Sequence, residues 1–192
     1  ASEKKQLIAE IVLLSKKFFA IRNIAKKKVT DWSYYGEKFM MKIIGTGSYV
    51  PEKKLTNFDL EKTLDTSNDW IVQRTGIHER HIAAEEESTV SLCVEAAKKA
   101  LESAGLSPED VDLLILTTST PDYQISSSAP IVANELGCRK IPAFDLNAVC
   151  AGFVYGLCVA TGLLESGMYK NCLLIGSDVY SRILNWKDRN SC

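Results

Sequence analysis

The spacing of apolar and polar positions changes several times along the chain. Between Ser88 and Ala104 the apolar residues Val90, Val94, Ala97, Leu101 and Ala104 recur at steps of four, three, four and three, which predicts an amphipathic helix closed by Gly105. Three short runs are apolar without alternation: Asp112–Thr118, Ala143–Leu146 and Asn171–Gly176. Runs of this kind read as strands buried on both faces. Between them lie a helical stretch, Ser126–Leu136, ending at Gly137, and a longer one, Ala151–Leu164, stopped by Gly167. Strand, helix, strand, helix, strand in that order predicts an α/β layered domain with parallel crossovers. The second helix is apolar on nearly every side (Phe153, Val154, Leu157, Val159, Leu163), which predicts packing between layers.

Upstream, Lys42–Thr46 predicts a strand, and Gly45–Pro51 a turn-rich exit. The Gly-Thr-Gly there is not a dinucleotide loop, because Pro51 occupies the last glycine position of G-x-G-x-x-G. Thr56 with Asp59 three residues later marks a helix start, running to about Leu64. Thr66 with Asp69 marks another, stopped by Gly76. On that helix Trp70 and Arg74 stand at i and i+4, on one face. An indole beside a planar cation can grip a flat anionic ligand such as a nucleotide, or be an ordinary surface cation–π pair.

The chemistry concentrates at Ala143–Gly156, AFDLNAVCAGFVYG. Cys150 falls between a strand and the start of an apolar helix, among the small residues Ala148, Ala151 and Gly152. First-turn N–H groups lack intrahelical partners and the helix dipole favours negative charge there, so a cysteine so placed is expected to have a lowered pKa. The opposing reading is a buried core cysteine.

Composition sharpens this picture. Residues 1–40 carry nine Lys/Arg and four Asp/Glu, whereas 41–192 carry fourteen and twenty, so a basic leader precedes an acidic body. The acidic body argues against a nucleic-acid-binding protein. In the leader, Leu7, Ile8, Ile11, Val12, Leu14, Phe18 and Phe19 approximate one face of a basic amphipathic helix. Its apolar run, Ile11–Leu14, is too short to span a bilayer. Met40 and Met41 stand just before the first strand, and the leader is expected to lie outside the fold, as an extension or a translated upstream stretch. Six cysteines without a C-x-x-C pair, and only two histidines, His78 and His81, argue against a zinc site and fit a reducing cytoplasm.

From Met41 to Cys192 the sequence closely resembles 3-oxoacyl-[acyl-carrier-protein] synthase III of the thiolase superfamily. The segments that carry the resemblance are KIIGTGSYVP, DTSNDWIVQRTGIHERHIA, PAFDLNAVCAGF, IGSDVYSRI and Asp188–Arg189. It implies a thiolase-like layered fold, the amino-terminal half of an αβαβα architecture. It also implies that Cys150 takes an acyl group from acetyl-CoA and that malonyl-acyl carrier protein, after losing CO2, attacks the acyl-cysteine. The same resemblance makes Thr66, Trp70, Arg74 and Arg189 the coenzyme A grip, with Arg189 stacking on the adenine opposite Trp70. Coenzyme A is then a substrate, no separate cofactor or metal is called for, and a homodimer is implied.

The family's chain is about twice as long, and its second half supplies a histidine, an asparagine and a glycine-rich backbone donor. His78 and His81 do not occupy that histidine's place and read as surface or structural residues. This chain alone is therefore expected to condense poorly. Competing readings are a non-catalytic fragment or interaction module pairing with a separate second half, a hydroxymethylglutaryl-CoA or polyketide synthase, and a cysteine hydrolase. The DWIVQRTGIHERHIA segment argues against a change of substrate class, and the absence of a His–Asn/Asp signature argues against a hydrolase.

Overall fold

The computed structural model describes residues 9–16 and 41–191, the former by backbone alone. Seven strands and five α-helices are seen among them. The principal sheet has the order β2-β1-β7-β5-β6. It contains β1 (Ala9–Lys16), β2 (Met41–Tyr49), β5 (Leu113–Thr117), β6 (Ala143–Leu146) and β7 (Asn171–Gly176). A small hairpin-like pair, β3 (Lys54–Thr56) and β4 (Glu79–His81), flanks α1 (Asn57–Glu61) and α2 (Asn68–Thr75). The larger helices are α3 (Thr89–Ala104), α4 (Ala129–Leu136) and α5 (Gly152–Glu165).

The sheet is sandwiched between helices, and the alternation of its central strands assigns the faces. Leu114, Leu116, Leu173 and Ile175 pack against α3 and α4, in one cluster with Val94, Ala97, Leu101, Val132 and Leu136. Leu113, Ile115, Cys172 and Leu174 point the other way, onto Ala160 and Leu164 of α5. Successive side chains of a strand face opposite ways, so an all-apolar strand needs a helix layer on each side. β5 pairs in parallel with both β6 and β7, as the crossover connections require.

Caps fix the helix starts. Thr56 and Asp59 form a reciprocal capping box on α1, and Ser88 with Ser91 forms one on α3. Gly76, Gly105 and Gly137 end α2, α3 and α4 in the left-handed region. Helix α2 begins one residue later than its sequence suggests, because Ser67, not Thr66, accepts from the backbone N–H of Trp70. Helix α1 is shorter than expected and ends at Glu61. The first body strand runs beyond Thr46 to Tyr49, and β6 is a half-buried edge strand, not a fully buried one.

The leader departs most from its sequence reading. Ala9–Lys16 is a strand and not part of an amphipathic helix, and it lies within the sheet, antiparallel to both β2 and β7. Four consecutive apolar residues, Ile11–Leu14, fit a position flanked by strands, where both faces are covered, better than a helix with one wet face. The rest of the leader lies outside the described residues.

Candidate functional site

The parallel strands β5, β6 and β7 all end on one side of the molecule, and the loops that follow them carry the candidate chemistry. Ligands of open α/β sheets bind at this edge. After β6 the chain turns through Asn147 and Ala148, makes one 3-10 turn at Val149–Ala151, and enters α5. Val149 has φ of 49°, the only non-glycine residue with positive φ among the described residues. A β-branched residue in that region is strained, by about 1–3 kcal/mol. The Asn147 side chain accepts a hydrogen bond from the Val149 N–H at 3.3 Å and helps hold the turn. The strained turn sets Cys150 at the mouth of α5, with its side chain exposed. No side chain caps the helix there, since Ala151 is the N-cap, and the Gly152 N–H is taken by the Val149 carbonyl.

The other cysteines separate into two groups. Burial pushes the thiols of Cys93 and Cys172 up to about 12, and raises that of Cys138 as well. For Cys93 the neighbouring Ser177 hydroxyl works against the shift; Ser177 is itself buried and its hydroxyl has no hydrogen-bond partner. Only Cys150 and Cys158 are exposed among the described cysteines.

Three carboxylates shape the surrounding loops, and the sequence reading passed over them. Asp145 of β6 accepts from the N–H groups of Ser128 and Ala129, at 2.7 and 2.8 Å, at the start of α4. Asp122 does the same for Thr89 and Val90 of α3, at 2.9 Å each. Asp178 accepts from the N–H and hydroxyl of Ser119 at 2.7 and 2.8 Å. The loop after β5 is thus tied at three places, and it presents Ile125, 99% exposed, to solvent. A carboxylate inside an apolar strand, as in AFDL, is the signal that could have found Asp145.

A second constellation forms around Trp70. The guanidinium of Arg74 lies 4.3 Å from the indole centroid and that of Arg189 lies 4.5 Å from it. Arg189 comes from the loop after β7 and also pairs with Asp65 at 3.4 Å. Sequence-distant Arg189 is therefore brought to Trp70. It rests directly on the ring; a flat base between them needs about 7 Å, two contacts of 3.5–4.0 Å. Arg189 must therefore swing out to admit one. Thr66, just before this helix, has a buried hydroxyl without a hydrogen-bond partner, a polar atom of the sort a ligand satisfies.

His81 bonds through Nδ1 to the Pro51 carbonyl, and the His78 carbonyl accepts from the Asn57 N–H at 3.2 Å. The His81 side chain thus ties β4 to the loop at Pro51, and the His78 backbone ties the preceding turn to α1. A cavity of about 90 Å³ is lined by residues including Tyr49, His81, Ser177, Tyr180 and Trp186. Neither Cys150 nor Trp70 lines it. Among the described residues no group of three His, Cys, Asp or Glu is placed to hold a metal, and no helix is long and apolar enough to cross a membrane.

Comparison with known proteins places this arrangement. The family described as 3-oxoacyl-[acyl-carrier-protein (ACP)] synthase III matches residues 144–192. A beta-ketoacyl-[acyl-carrier-protein] synthase III of Caldanaerobacter subterraneus subsp. tengcongensis is 54% identical over 156 residues, 81% of this chain and 47% of that protein. The crystal structure of 3-oxoacyl-[acyl-carrier-protein] synthase III from Aquifex aeolicus superposes with a TM-score of 0.76 at 49% identity, covering 79% of this chain and 49% of that one. The Pseudomonas aeruginosa synthase III gives 0.72 at 45% identity, with 77% and 45% covered. The chain thus spans about half the length of the relatives it matches.

Proposed function

Over the stretch it shares with them, the chain belongs to the 3-oxoacyl-[acyl-carrier-protein] synthase III family, and we propose that it carries the acyl-loading half of that reaction. Cys150 attacks the thioester carbonyl of a short acyl-CoA, acetyl-CoA in the simplest case. The S–C bond to cysteine forms, the tetrahedral oxyanion collapses, and coenzyme A leaves as the thiol after taking a proton. Splitting the transfer into two steps around an acyl-cysteine is nucleophilic catalysis. The observation that carries this reading is the placement of Cys150: exposed, on a strained turn, at the uncapped start of α5. The positive end of the α5 dipole is suited to the negative charge that develops on the thiolate and the oxyanion.

Trp70, Arg74 and Arg189 grip the adenine end of coenzyme A, with Thr66 donating or accepting beside them. Support comes from the two guanidinium contacts on one indole and from the unpartnered Thr66 hydroxyl. Coenzyme A enters as substrate, so no separate cofactor is needed. The reaction belongs in the cytoplasm, where thiols such as Cys150 stay reduced.

Condensation with malonyl-acyl carrier protein asks for further groups. The resemblance assigns decarboxylation to a histidine and an asparagine in a second half, and the imidazole of His81 is engaged by the Pro51 carbonyl. One oxyanion donor is worth about a hundred- to a thousand-fold in rate, so residues 1–192 tested without those groups are expected to turn over little. A second reading, in which the chain pairs with further polypeptide, is favoured by the bare outer face of α5, where Val154 and Tyr155 are 59% and 56% exposed. A homodimer is one such pairing. The test follows both products: coenzyme A release from acetyl-CoA is expected, with 3-oxoacyl-ACP negligible when malonyl-ACP is added. Condensation at a rate normal for a complete synthase contradicts the division of labour.

A further inference from the structure

The cavity of about 90 Å³ takes no part in the chemistry at Cys150 or Trp70. It lies between β4, the end of β2 and the loop that follows β7. Its walls are fastened to each other. The Ser181 hydroxyl accepts from the Ala83 N–H at 3.2 Å, and Arg182 donates to the carbonyls of Ala84 and Glu85 at 3.0 and 2.8 Å. The space is therefore preformed. A single water needs roughly 10–15 Å³ of such space, so it holds several waters or one small organic molecule.

Two oxygens of its lining residues lack partners. Ser177 is 4% exposed and its hydroxyl has no hydrogen-bond partner, although a buried polar group left unpaired is costly. On the next residue, the four hydrogen bonds that the Asp178 carboxylate accepts all go to Oδ1, and Oδ2 takes none. Asp178 also has no ion-pair partner among the described residues. The charged groups of β4 are committed: Glu79 to Lys54 at 2.8 Å, and Arg80 to Asn57 at 2.5 Å. With histidine counted as neutral, two carboxylates against one guanidinium leave the lining one negative charge in excess. Three aromatic rings complete it. Trp186, Tyr180 and Tyr49 are held by their polar tips, to the Ser181 carbonyl, Ser119 and Glu87, which leaves the ring bodies to line the cavity. Lys99 already lies 5.3 Å from the Tyr49 centroid, so the rings for a second cation are Tyr180 and Trp186.

We propose that this cavity is a binding site for a small primary alkylammonium ion, separate from the acyl-transfer site. The ammonium donates to Asp178 Oδ2 and to the Ser177 hydroxyl, so the buried hydroxyl gains its missing partner. Charge-assisted hydrogen bonds of this kind are about twice as strong as neutral ones. Tyr180 and Trp186 attract the cation through their ring faces. The alkyl chain lies along Leu92, Val179 and Leu184, the first two buried. A quaternary ion has no N–H and would leave Ser177 unpaired, which selects the primary one. A preformed apolar cavity with a few convergent polar groups is the usual form of a small-molecule site.

The test titrates the full chain with n-butylammonium chloride at constant ionic strength and follows the backbone amides of Ser177–Tyr180 and the Trp186 indole by NMR. Saturable shifts at these groups are expected, with half-effect at about millimolar, the range of a ligand of about five non-hydrogen atoms. 1-Butanol, of the same length without the charge, and tetramethylammonium, without the N–H, are each expected to bind about tenfold more weakly. Asp178→Asn keeps Oδ1 for the loop and loses the charge, and Ser177→Ala removes a hydroxyl that has no hydrogen-bond partner. Each is expected to weaken butylammonium binding by about tenfold. Should Asp178→Asn unfold, Ser177→Ala and the two comparison probes decide alone. No saturable shift at about a hundred times that concentration, equal binding of 1-butanol or tetramethylammonium, or undiminished affinity in Ser177→Ala overturns the proposal.

Discussion

At the residue scale, the difference between Cys150 and its fellow cysteines is one of environment. Cys93 and Cys172 are buried in the two helix–sheet layers and their thiols are pushed up to about 12, whereas Cys150 is exposed on a turn. Iodoacetamide at neutral pH is expected to modify Cys150 and the exposed Cys158 and to spare Cys93 and Cys172 until urea unfolds the chain. Modification of Cys93 before unfolding would contradict the burial. The same two thiols give stability a pH dependence. In the unfolded chain they lose protons near the reference value of 9.0, and in the folded chain near 12. Their contribution is complete below about 9 and is lost as pH rises towards about 12. The urea midpoint is expected to fall across that window, and to fall less in Cys172→Ala. Val149 gives a third residue-scale prediction. Glycine relieves a positive φ at little loss of burial, so Val149→Gly is expected to stabilise by about 1 kcal/mol, read as a rise in urea midpoint. At the candidate adenine grip, Trp70→Ala is expected to cost about 1–3 kcal/mol of stacking, or about 5- to 150-fold in coenzyme A affinity, measured by calorimetry.

At the scale of elements, α5 shows how far a sequence pattern reaches. Its composition reads as a helix packed between layers, and it does have a sheet on one side. That side is made of the small residues Gly152, Gly156 and Ala160, with Leu164. A Cβ on Gly156 would stand 2.7 Å from Thr117 and 2.8 Å from Leu174, so the helix sits close on the strands. Gly156→Val is expected to destabilise by about 1–3 kcal/mol through overpacking; a neutral effect on the urea midpoint would contradict that close approach. The bulkier residues Val154, Tyr155 and Val159 are exposed instead, which composition alone could not decide. The strand runs DLLILTT, AFDL and NCLLIG were legible because their neighbours are turn residues and helices of the right length. The 9–16 segment was misread because Ile11–Leu14 is short and fits both periods, and only its neighbours in the sheet decide between them. Helix starts were legible where the capping side chain is unique, as at Ser88, and slipped by one where Thr66 and Ser67 compete.

At the scale of the whole molecule, the parallel strands bring the Cys150 turn and the loop of Arg189 to one edge of the sheet. The sequence made the separate parts readable: the thiol between strand and helix, and the Trp70–Arg74 spacing. It could not by itself show that Arg189 reaches Trp70 across the loop after β7, or that three carboxylates tie down the loops between. The outer face of α5 has a consequence at this scale too. An apolar helix surface without a cover promotes association, so Val154→Lys combined with Tyr155→Lys is expected to lower the apparent mass at high concentration in analytical ultracentrifugation. The account as a whole rests on acyl transfer to one sulfur. Incubation with acetyl-CoA followed by peptide mapping is predicted to place a single hydroxylamine-labile acetyl group on Cys150, with none on Cys158 and none on any cysteine of Cys150→Ser. An acetyl group found on Cys158 in its stead, or an unmodified Cys150 at saturating acetyl-CoA, would contradict it.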